Sequence, residues 1–397
     1  MHACPGNPNG NTLKIQQFRD VRYGFLSEMQ YPGSMTDRSL IATKPAWSAW
    51  ARLAVGQSEA RLLAPVFAGL AAWLALATLL KHTIHGIDGA TATMTPAYYG
   101  YAIRNSALFC EGVLVIGLLN VALQIHRSGL ASLTDGFWAR HRKTLLSAPV
   151  MFAAGVVSFG LLMSCYTTIK VRIPTLMPFA WDDTFAALDA SLFLGTDPWK
   201  AFGWIYDNPA LLRTVDFLYD LWAVLLVGGW ITCFVAGGIE PARRLRYCLS
   251  LMMTWFIGGN LLALLFSSAG PCFYEHVGAD PARYSDLMTH LRSLPDMRSP
   301  GMQDMLWQTF QQDGLGIGGI SALPSMHCAT AFLYVLMFGR TLVWRAVTSA
   351  YFVVILFGSV ILGWHYLMDG LAGIAVAYAC WKISRLIAAR LYPAAKN

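Results

Sequence analysis

The feature that most constrains the fold of this chain is a set of eight apolar runs. Each is close to the length of about 20 residues that an α-helix needs to cross a bilayer. Only 13% of the 397 residues are charged, about half the share that is usual in soluble domains. A backbone inside a bilayer must satisfy its own hydrogen bonds, and runs of this length do so as helices. We therefore predict an all-α polytopic transmembrane helix bundle with about eight spans. The runs cover residues 62–80, 107–125, 149–169, 217–237, 249–266, 320–338, 346–364 and 367–387.

The loops between these runs alternate in charge. Residues 126–144, 238–247 and 340–345 are rich in Lys and Arg, whereas the long loops 171–213 and 268–319 are acidic on balance. Short loops rich in Lys and Arg stay in the cytoplasm, so we expect both termini there and the acidic loops outside. This topology accounts for the net charge of +7, and we expect no nucleic-acid partner.

We divide the chain into four parts. Residues 1–61 are polar, carry no cleavable signal pattern, and are expected to form a cytoplasmic N-terminal segment. Residues 62–144 hold two accessory spans and a basic loop, 145–390 form the main membrane domain, and 391–397 are a tail. The alanine-rich composition favours a bacterial cytoplasmic membrane with a periplasm-facing site, while a Golgi-type membrane with a lumenal site would have the same topology.

Two short polar segments lie at the outer ends of the last three runs. His365 and Asp369 are four residues apart, so on a helix they share a face, and Asp369 would hold His365 in one tautomer as nucleophile or base. Pro324 and Ser325 precede His327 and favour a helix start, where free N–H groups attract anions. We expect a phosphate to bind between the two histidines.

Other candidates lie on the same outer side. Asp216 and Asp220 are one turn apart at the edge of the fourth run, where carboxylates are costly unless paired or hydrated. They either contact substrate or pair with loop cations, and Tyr274 is a further possible substrate contact. Residues 179–194 alternate aromatic and acidic side chains, which predicts a helix in the outer interface, as an anchor or a lateral gate for lipid.

The eight cysteines show no metal-type spacing, and we predict neither a disulfide framework nor a metal site. Cys328 beside His327 is interpreted as a small apolar side chain rather than a thiol nucleophile.

The two histidine segments resemble signatures of a known family. Residues 324–327 (Pro-Ser-Met-His) resemble the second signature of the type 2 phosphatidic acid phosphatase superfamily, usually Pro-Ser-Gly-His. His365 with Asp369 resembles the His-x-x-x-Asp of the third, and Lys170 with Pro178 matches part of the first, Lys-x6-Arg-Pro.

Two arginines of that family are absent here. Met177 and Ser359 stand where the first and third signatures have Arg. The branch that contains the inositol phosphorylceramide synthases also keeps the His/His/Asp set without these arginines, and the chain is similar to that branch over about residues 145–389. The similar stretches are 178–182, 195–199, 215–220 and 268–271.

The resemblance implies a six-helix phosphatase-type core and a lipid enzyme that needs no metal or other cofactor. His365, Asp369 and His327 would be catalytic, with Lys170, Ser325 and Arg172 binding phosphate. A singly charged diester suits one matching lysine better than a phosphomonoester does, so we expect transfer of a phospho-headgroup between membrane lipids, a donor and an acceptor, with no obligatory protein partner. The alternatives are a lipid phosphatase that hydrolyses phosphatidic acid, a sphingolipid phosphate or a polyprenyl pyrophosphate, and a non-enzymatic transporter or scaffold.

Overall fold

The computed structural model describes residues 56–83, 100, 103–105, 107, 111, 137–236, 238–311 and 319–393. Regular structure in these residues is helical, without a β-strand, which confirms the predicted all-α class. The α-helices are α1 (Gln57–Thr83), α2 (Phe137–Lys170), α3 (Ile173–Leu176), α4 (Asp182–Leu192), α5 (Gly203–Tyr206), α6 (Pro209–Asp220), α7 (Trp222–Val235), α8 (Pro241–Phe256), α9 (Ala263–Leu265), α10 (Tyr274–Val277), α11 (Ser285–Ser293), α12 (Arg298–Gln311), α13 (Met326–Phe338), α14 (Leu342–Ile361) and α15 (Leu367–Leu391). Pro198–Phe202 and Pro271–Phe273 form 3₁₀ turns, and Ile257–Leu262 is π-helical.

Polar caps in the sequence mark where several helices begin. The side chains of Asn208, Ser325 and Thr341 each accept a hydrogen bond from the backbone N–H three residues ahead, at the starts of α6, α13 and α14. Such caps satisfy N–H groups that have no partner within the helix.

Among the described residues, six helical segments are long and apolar enough to cross a membrane, so this is a multi-pass membrane protein. Each coincides with a predicted run, while the predicted run 107–125 lies almost wholly outside the described residues, as do residues 1–55 and 394–397. The segments are Gln57–Leu80, Ser147–Leu176, Pro209–Val235, Pro241–Leu265, Leu342–Ile361 and Leu367–Leu391.

The predicted span over 320–338 is wrong in its first third. The helix α13 begins only at Met326 and has 13 residues, about 20 Å in length. The N–H groups of Ala322 and Leu323 donate instead to the backbone carbonyl and Oγ of Ser268, and Pro324 has no N–H. The non-helical segment before α13 therefore packs against another loop at that end of the bundle.

The helices that carry the histidine segments form one packed group. The helix α13 packs against α14 and α15, α8 lies along α15, and α2 packs against α1 and α7. Helices in lipid are held by close packing of small and large side chains, because lipid tails are as apolar as the core. Gly155 on α2 illustrates this, since a Cβ there would approach the Ile231 side chain to 2.8 Å.

Shorter helices cover the end of this group where α13 and α15 begin. The helix α4, within the predicted outer helix 179–194, packs against α15, and α12 packs against α6. A second cluster of buried apolar residues, distinct from the core between the spans, joins these elements through Phe185, Leu287, Leu362 and Tyr366. These shorter helices, α4 and α10 to α12, form a covering layer. Its Asp182, Asp189 and Gln303 bond to the segment around His365 and to the start of α15.

Candidate active site

The first turns of α13 and α15 meet at one end of the bundle. The Ser325 N–H donates to the Asp369 carbonyl at 2.9 Å, and Ser325 is fully buried. On the next turn of α15, a Cβ at Gly373 would lie 2.4 Å from the Ser325 carbonyl oxygen. The two helices therefore approach at backbone distance, and this contact brings the two histidine segments together.

His365 and Asp369 come together for a reason that differs from the sequence prediction. We expected both on one helix, but α14 ends at Ile361, Gly363 turns the chain with φ 72°, and α15 begins only at Leu367. Asp369 is the third residue of α15, and its Oδ2 accepts the Tyr366 N–H at 3.0 Å as part of a capping box. The same oxygen lies 3.4 Å from His365 Nδ1.

Both members of this pair keep unused polar atoms. Among the described residues, His365 Nδ1 and Asp369 Oδ1 have no hydrogen-bond partner, although the two side chains are only 8% and 0% exposed. Catalytic hydrogen bonds are often long without a ligand and shorten when the substrate binds. The pair can therefore tighten into a hydrogen bond when a phosphate contacts the ring.

The His327 ring faces His365 from the first turn of α13. The two ring centroids are 5.8 Å apart, with 60° between the ring planes. On its other sides His327 contacts Trp222 at 4.0 Å and stacks on Tyr219 at 4.7 Å. This aromatic packing restrains the ring, and the two imidazoles form the facing pair that the sequence predicted.

Lys170, the last residue of α2, supplies positive charge beside the imidazoles. Its Nζ lies 5.4 Å from the Tyr166 ring centroid, and its charge acts on both His327 and His365. Arg172 follows at the N-cap of α3, where its carbonyl accepts the Leu176 N–H. Lys170 is therefore placed beside the histidines, and phosphate binding by Arg172 stays a prediction.

The two positions where the resembled family has arginine add no charge. Met177 is 43% exposed. Ser359 is buried near the end of α14, where its Oγ donates to the Leu356 carbonyl and its own carbonyl accepts the N–H groups of Trp364 and His365. Ser359 therefore shapes the loop before His365 through its backbone.

Asp216 and Asp220 contact the covering layer. Asp216 accepts the backbone N–H groups of Arg298 and Ser299, at 2.6 and 3.1 Å, and the Ser299 hydroxyl at 2.5 Å. Asp220 pairs with the Arg298 guanidinium. These contacts support the alternative in which the carboxylates pair with the loop, since Asp216 holds the start of α12.

Tyr274 also has a partner within the covering layer. Its hydroxyl donates to Asp183 at 2.5 Å, and its side chain is buried. The Tyr274 hydroxyl and the Ala279 N–H, which both donate to Asp183, lower the pKa of that carboxyl. A role of Tyr274 in substrate binding stays a prediction.

Two carboxylates of α4, which sequence reasoning assigned only to an interface helix, support the site from outside. Asp189 accepts the N–H groups of Leu367 and Met368 at 2.6 and 3.0 Å, the first two of α15. Asp182 accepts the Tyr366 hydroxyl at 2.9 Å and the Gly270 N–H at 2.8 Å. They hold the start of the helix that carries Asp369.

Burial raises the pKa of both carboxyls, that of Asp189 to about 6, against the opposing effect of their N–H donors. The sequence signal was present, since two acids seven residues apart share one face of a helix. The sequence did not show which hydroxyl and N–H groups donate to these two carboxylates.

The described residues contain no group of three or more His, Cys, Asp and Glu side chains placed to hold a metal ion. Their chemistry is that of a facing histidine pair with one carboxylate and one ammonium, which suits nucleophilic attack on phosphorus and proton transfer to an alcohol.

Comparison with known proteins relates the chain to one family. The family model of the PAP2 superfamily matches residues 183–383, which run from α4 into α15 and include both histidines and Asp369. No curated protein and no solved structure matches the chain.

Proposed function

The chain belongs to the PAP2 superfamily, and on that premise we propose that it transfers the phospho-headgroup of a diester phospholipid to a lipid alcohol of the ceramide or diacylglycerol type. The superfamily indicates a membrane enzyme of the lipid phosphatase or phosphotransferase type. The observation that carries the finer proposal is the facing pair of imidazoles, 5.8 Å apart, with Asp369 behind one of them.

In the first step, His365 attacks phosphorus, with Asp369 holding its Nδ1 side. A bond forms between the ring nitrogen and phosphorus, and the bond from phosphorus to the diacylglycerol oxygen breaks. His327 gives its proton to that leaving oxygen. The product is a phosphohistidine that carries the headgroup, and Lys170 stabilises the negative charge that develops on the phosphoryl oxygens.

In the second step the lipid acceptor enters. His327, now neutral, takes the proton from the acceptor hydroxyl as its oxygen attacks phosphorus, and the bond to His365 breaks. With a phosphomonoester such as phosphatidic acid as donor, and water in place of the alcohol, the same residues would complete a phosphatase reaction.

The charges around the site favour a diester donor. A phosphomonoester is nearly dianionic at neutral pH and calls for several cations, whereas a diester carries one negative charge. Arginines of the covering layer already have carboxylate partners: Arg283 pairs with Asp197, Arg292 with Asp304 and Arg298 with Asp220. Together with Met177 and Ser359 in place of arginines, this supports a site with fewer cations than a phosphomonoester calls for, Lys170 being one of them.

Reconstituted protein in nanodiscs tests the proposal. A labelled diester phospholipid would be supplied with ceramide or diacylglycerol, and phosphatidic acid would be supplied separately, while lipid products and free phosphate are followed. His365→Ala and His327→Ala should each lower turnover at least about 100-fold. His276→Ala is the matched control, because that ring stacks on Trp307 at 4.2 Å and belongs to the covering layer.

Each outcome decides between reactions. Headgroup transfer that needs His365 and releases no phosphate supports the transferase. Phosphate release from phosphatidic acid that needs the same histidine would replace it with a lipid phosphatase, the activity that the superfamily equally supports. Absence of turnover with all of these lipids would contradict the transferase and a phosphatidic acid phosphatase, and would leave a phosphatase of a sphingolipid phosphate or polyprenyl pyrophosphate, or a transporter or scaffold.

A further inference from the structure

A cavity lined by arginines lies at the end of α13 opposite to His327. It has a volume of about 510 Å³ and is lined by Arg243, Val335, Leu336, Gly339, Arg340 and Arg345. The helix is about 20 Å long, so this arginine cavity is separated from the histidine pair by most of the apolar core. None of its lining residues takes part in the proposed reaction.

The arginine cavity has more positive than negative charge. Arg243 is fixed in place, because its Nε and Nη2 donate to the Met337 and Leu336 carbonyls at 2.9 and 2.7 Å. Arg340 is exposed and near enough to repel Arg243, while Glu240, outside the lining, attracts it. The end of a helix contributes about half a negative charge. Within the part of the chain that the structure describes, three guanidiniums therefore exceed the nearby negative charge, and an anion in the cavity would balance them.

The surroundings of the cavity indicate that this anion belongs to a lipid. Val335 and Leu336 form an apolar wall next to the guanidiniums. Between Arg340 and Arg345 the chain exposes Leu342, Val343 and Trp344, which are 83%, 69% and 58% exposed. Exposed apolar side chains with a Trp at the end of a span are typical of the membrane interface. Both the charge and the apolar wall thus match a lipid headgroup with its attached glycerol and acyl chains.

We propose that the arginine cavity binds the anionic headgroup of a phospholipid from the leaflet opposite to the histidine site. Guanidinium groups hold phosphate oxygens through paired charge-assisted hydrogen bonds. The cavity volume lies within the range of ordinary small-ligand sites, about 300 to 1,000 Å³. This inference is independent of the reaction at the histidines.

Lipid binding to the purified full-length protein tests the proposal. Native mass spectrometry and thermal unfolding in detergent would be measured with phosphatidylglycerol, with phosphatidylcholine and with inorganic phosphate. Wild type should retain phosphatidylglycerol and unfold at a higher temperature with it than with phosphatidylcholine. The double variant Arg340→Gln/Arg345→Gln should bind phosphatidylglycerol at least about tenfold more weakly, since each removes charge-assisted hydrogen bonds of that order.

The matched control changes the same charge at the same end of the bundle. Arg385 and Arg390 on α15 are exposed and do not line the cavity, so Arg385→Gln/Arg390→Gln should bind phosphatidylglycerol as wild type does. Arg243 is left unchanged because it caps α13, and Arg345→Gln alone serves if the double variant does not fold.

Three results would overturn the proposal. These are equal retention of the charged and the zwitterionic lipid, equal loss of binding in the cavity and control variants, or stabilisation by inorganic phosphate that matches phosphatidylglycerol. The last would assign the cavity to a soluble anion.

Discussion

Replacing Gly373 with alanine tests whether the spacing between α13 and α15 sets the geometry of the two histidines. A Cβ at this position would lie 2.4 Å from the Ser325 carbonyl oxygen. An ordinary carbon to oxygen contact is about 3.3 Å, so the new methyl group is about 0.9 Å too close. The atom that it meets belongs to the backbone and cannot rotate away, and the two helices must separate by nearly that distance.

The expected effect on turnover is larger than the effect on stability. A misplacement of about 1 Å at reacting groups can reduce a rate about 100-fold, and the separation moves Ser325 and His327 away from Asp369 and His365. Overpacking costs roughly 1 to 3 kcal/mol, and the better helix propensity of alanine offsets about 1 kcal/mol of this. Gly373→Ala should therefore fold while losing most of its activity.

The measurement pairs lipid turnover in nanodiscs with thermal unfolding. Gly301→Ala in α12 is the control, because no atom lies within 4 Å of its added Cβ, and it should keep turnover near wild type. Turnover of Gly373→Ala within about threefold of wild type would refute the reasoning, since a 1 Å error at the reacting groups corresponds to about 100-fold. It would show that the helix spacing does not set the position of the histidines.

Two further predictions concern the carboxylates around the site. Asp216→Ala should lower the temperature midpoint of unfolding more than Asp220→Ala. Each N–H group that loses its acceptor at the start of α12 costs about 1 to 3 kcal/mol, whereas the exposed ion pair of Asp220 contributes at most about 1 kcal/mol. Equal midpoints for the two variants would contradict this. Burial raises the pKa of Asp189 to about 6, so turnover should fall as the pH drops through that value, because a carboxylate that accepts the first N–H groups of α15 becomes protonated. A pH profile of turnover that is identical in Asp189→Asn and wild type would exclude this role. Stability should show the opposite sign: because the folded pKa lies above the usual value of about 3.9, ionisation opposes folding, and wild type should lose stability relative to Asp189→Asn as the pH rises from about 4 to about 6.

The sequence alone determined the class of the protein and the membrane segments that the structure describes. A run of about 20 apolar residues leaves a backbone in lipid with only its own hydrogen bonds, so composition and length are enough to predict a helix. The residues of the histidine pair were also predictable, because their types and order resemble signatures of a family to which the chain belongs.

The tertiary structure decided which groups meet around that pair. Asp182 bonds to Tyr366, 184 residues away, and Asp216 bonds to Ser299, 83 residues away. A hydrophobic pattern reports which face of an element is buried and carries no information about such distant donors. For the same reason the sequence predicted a full span over 320–338, although the N–H groups before α13 are bonded to Ser268 in another loop. Partners distant along the chain therefore determined the short helix, the support of α15 and the geometry of the site.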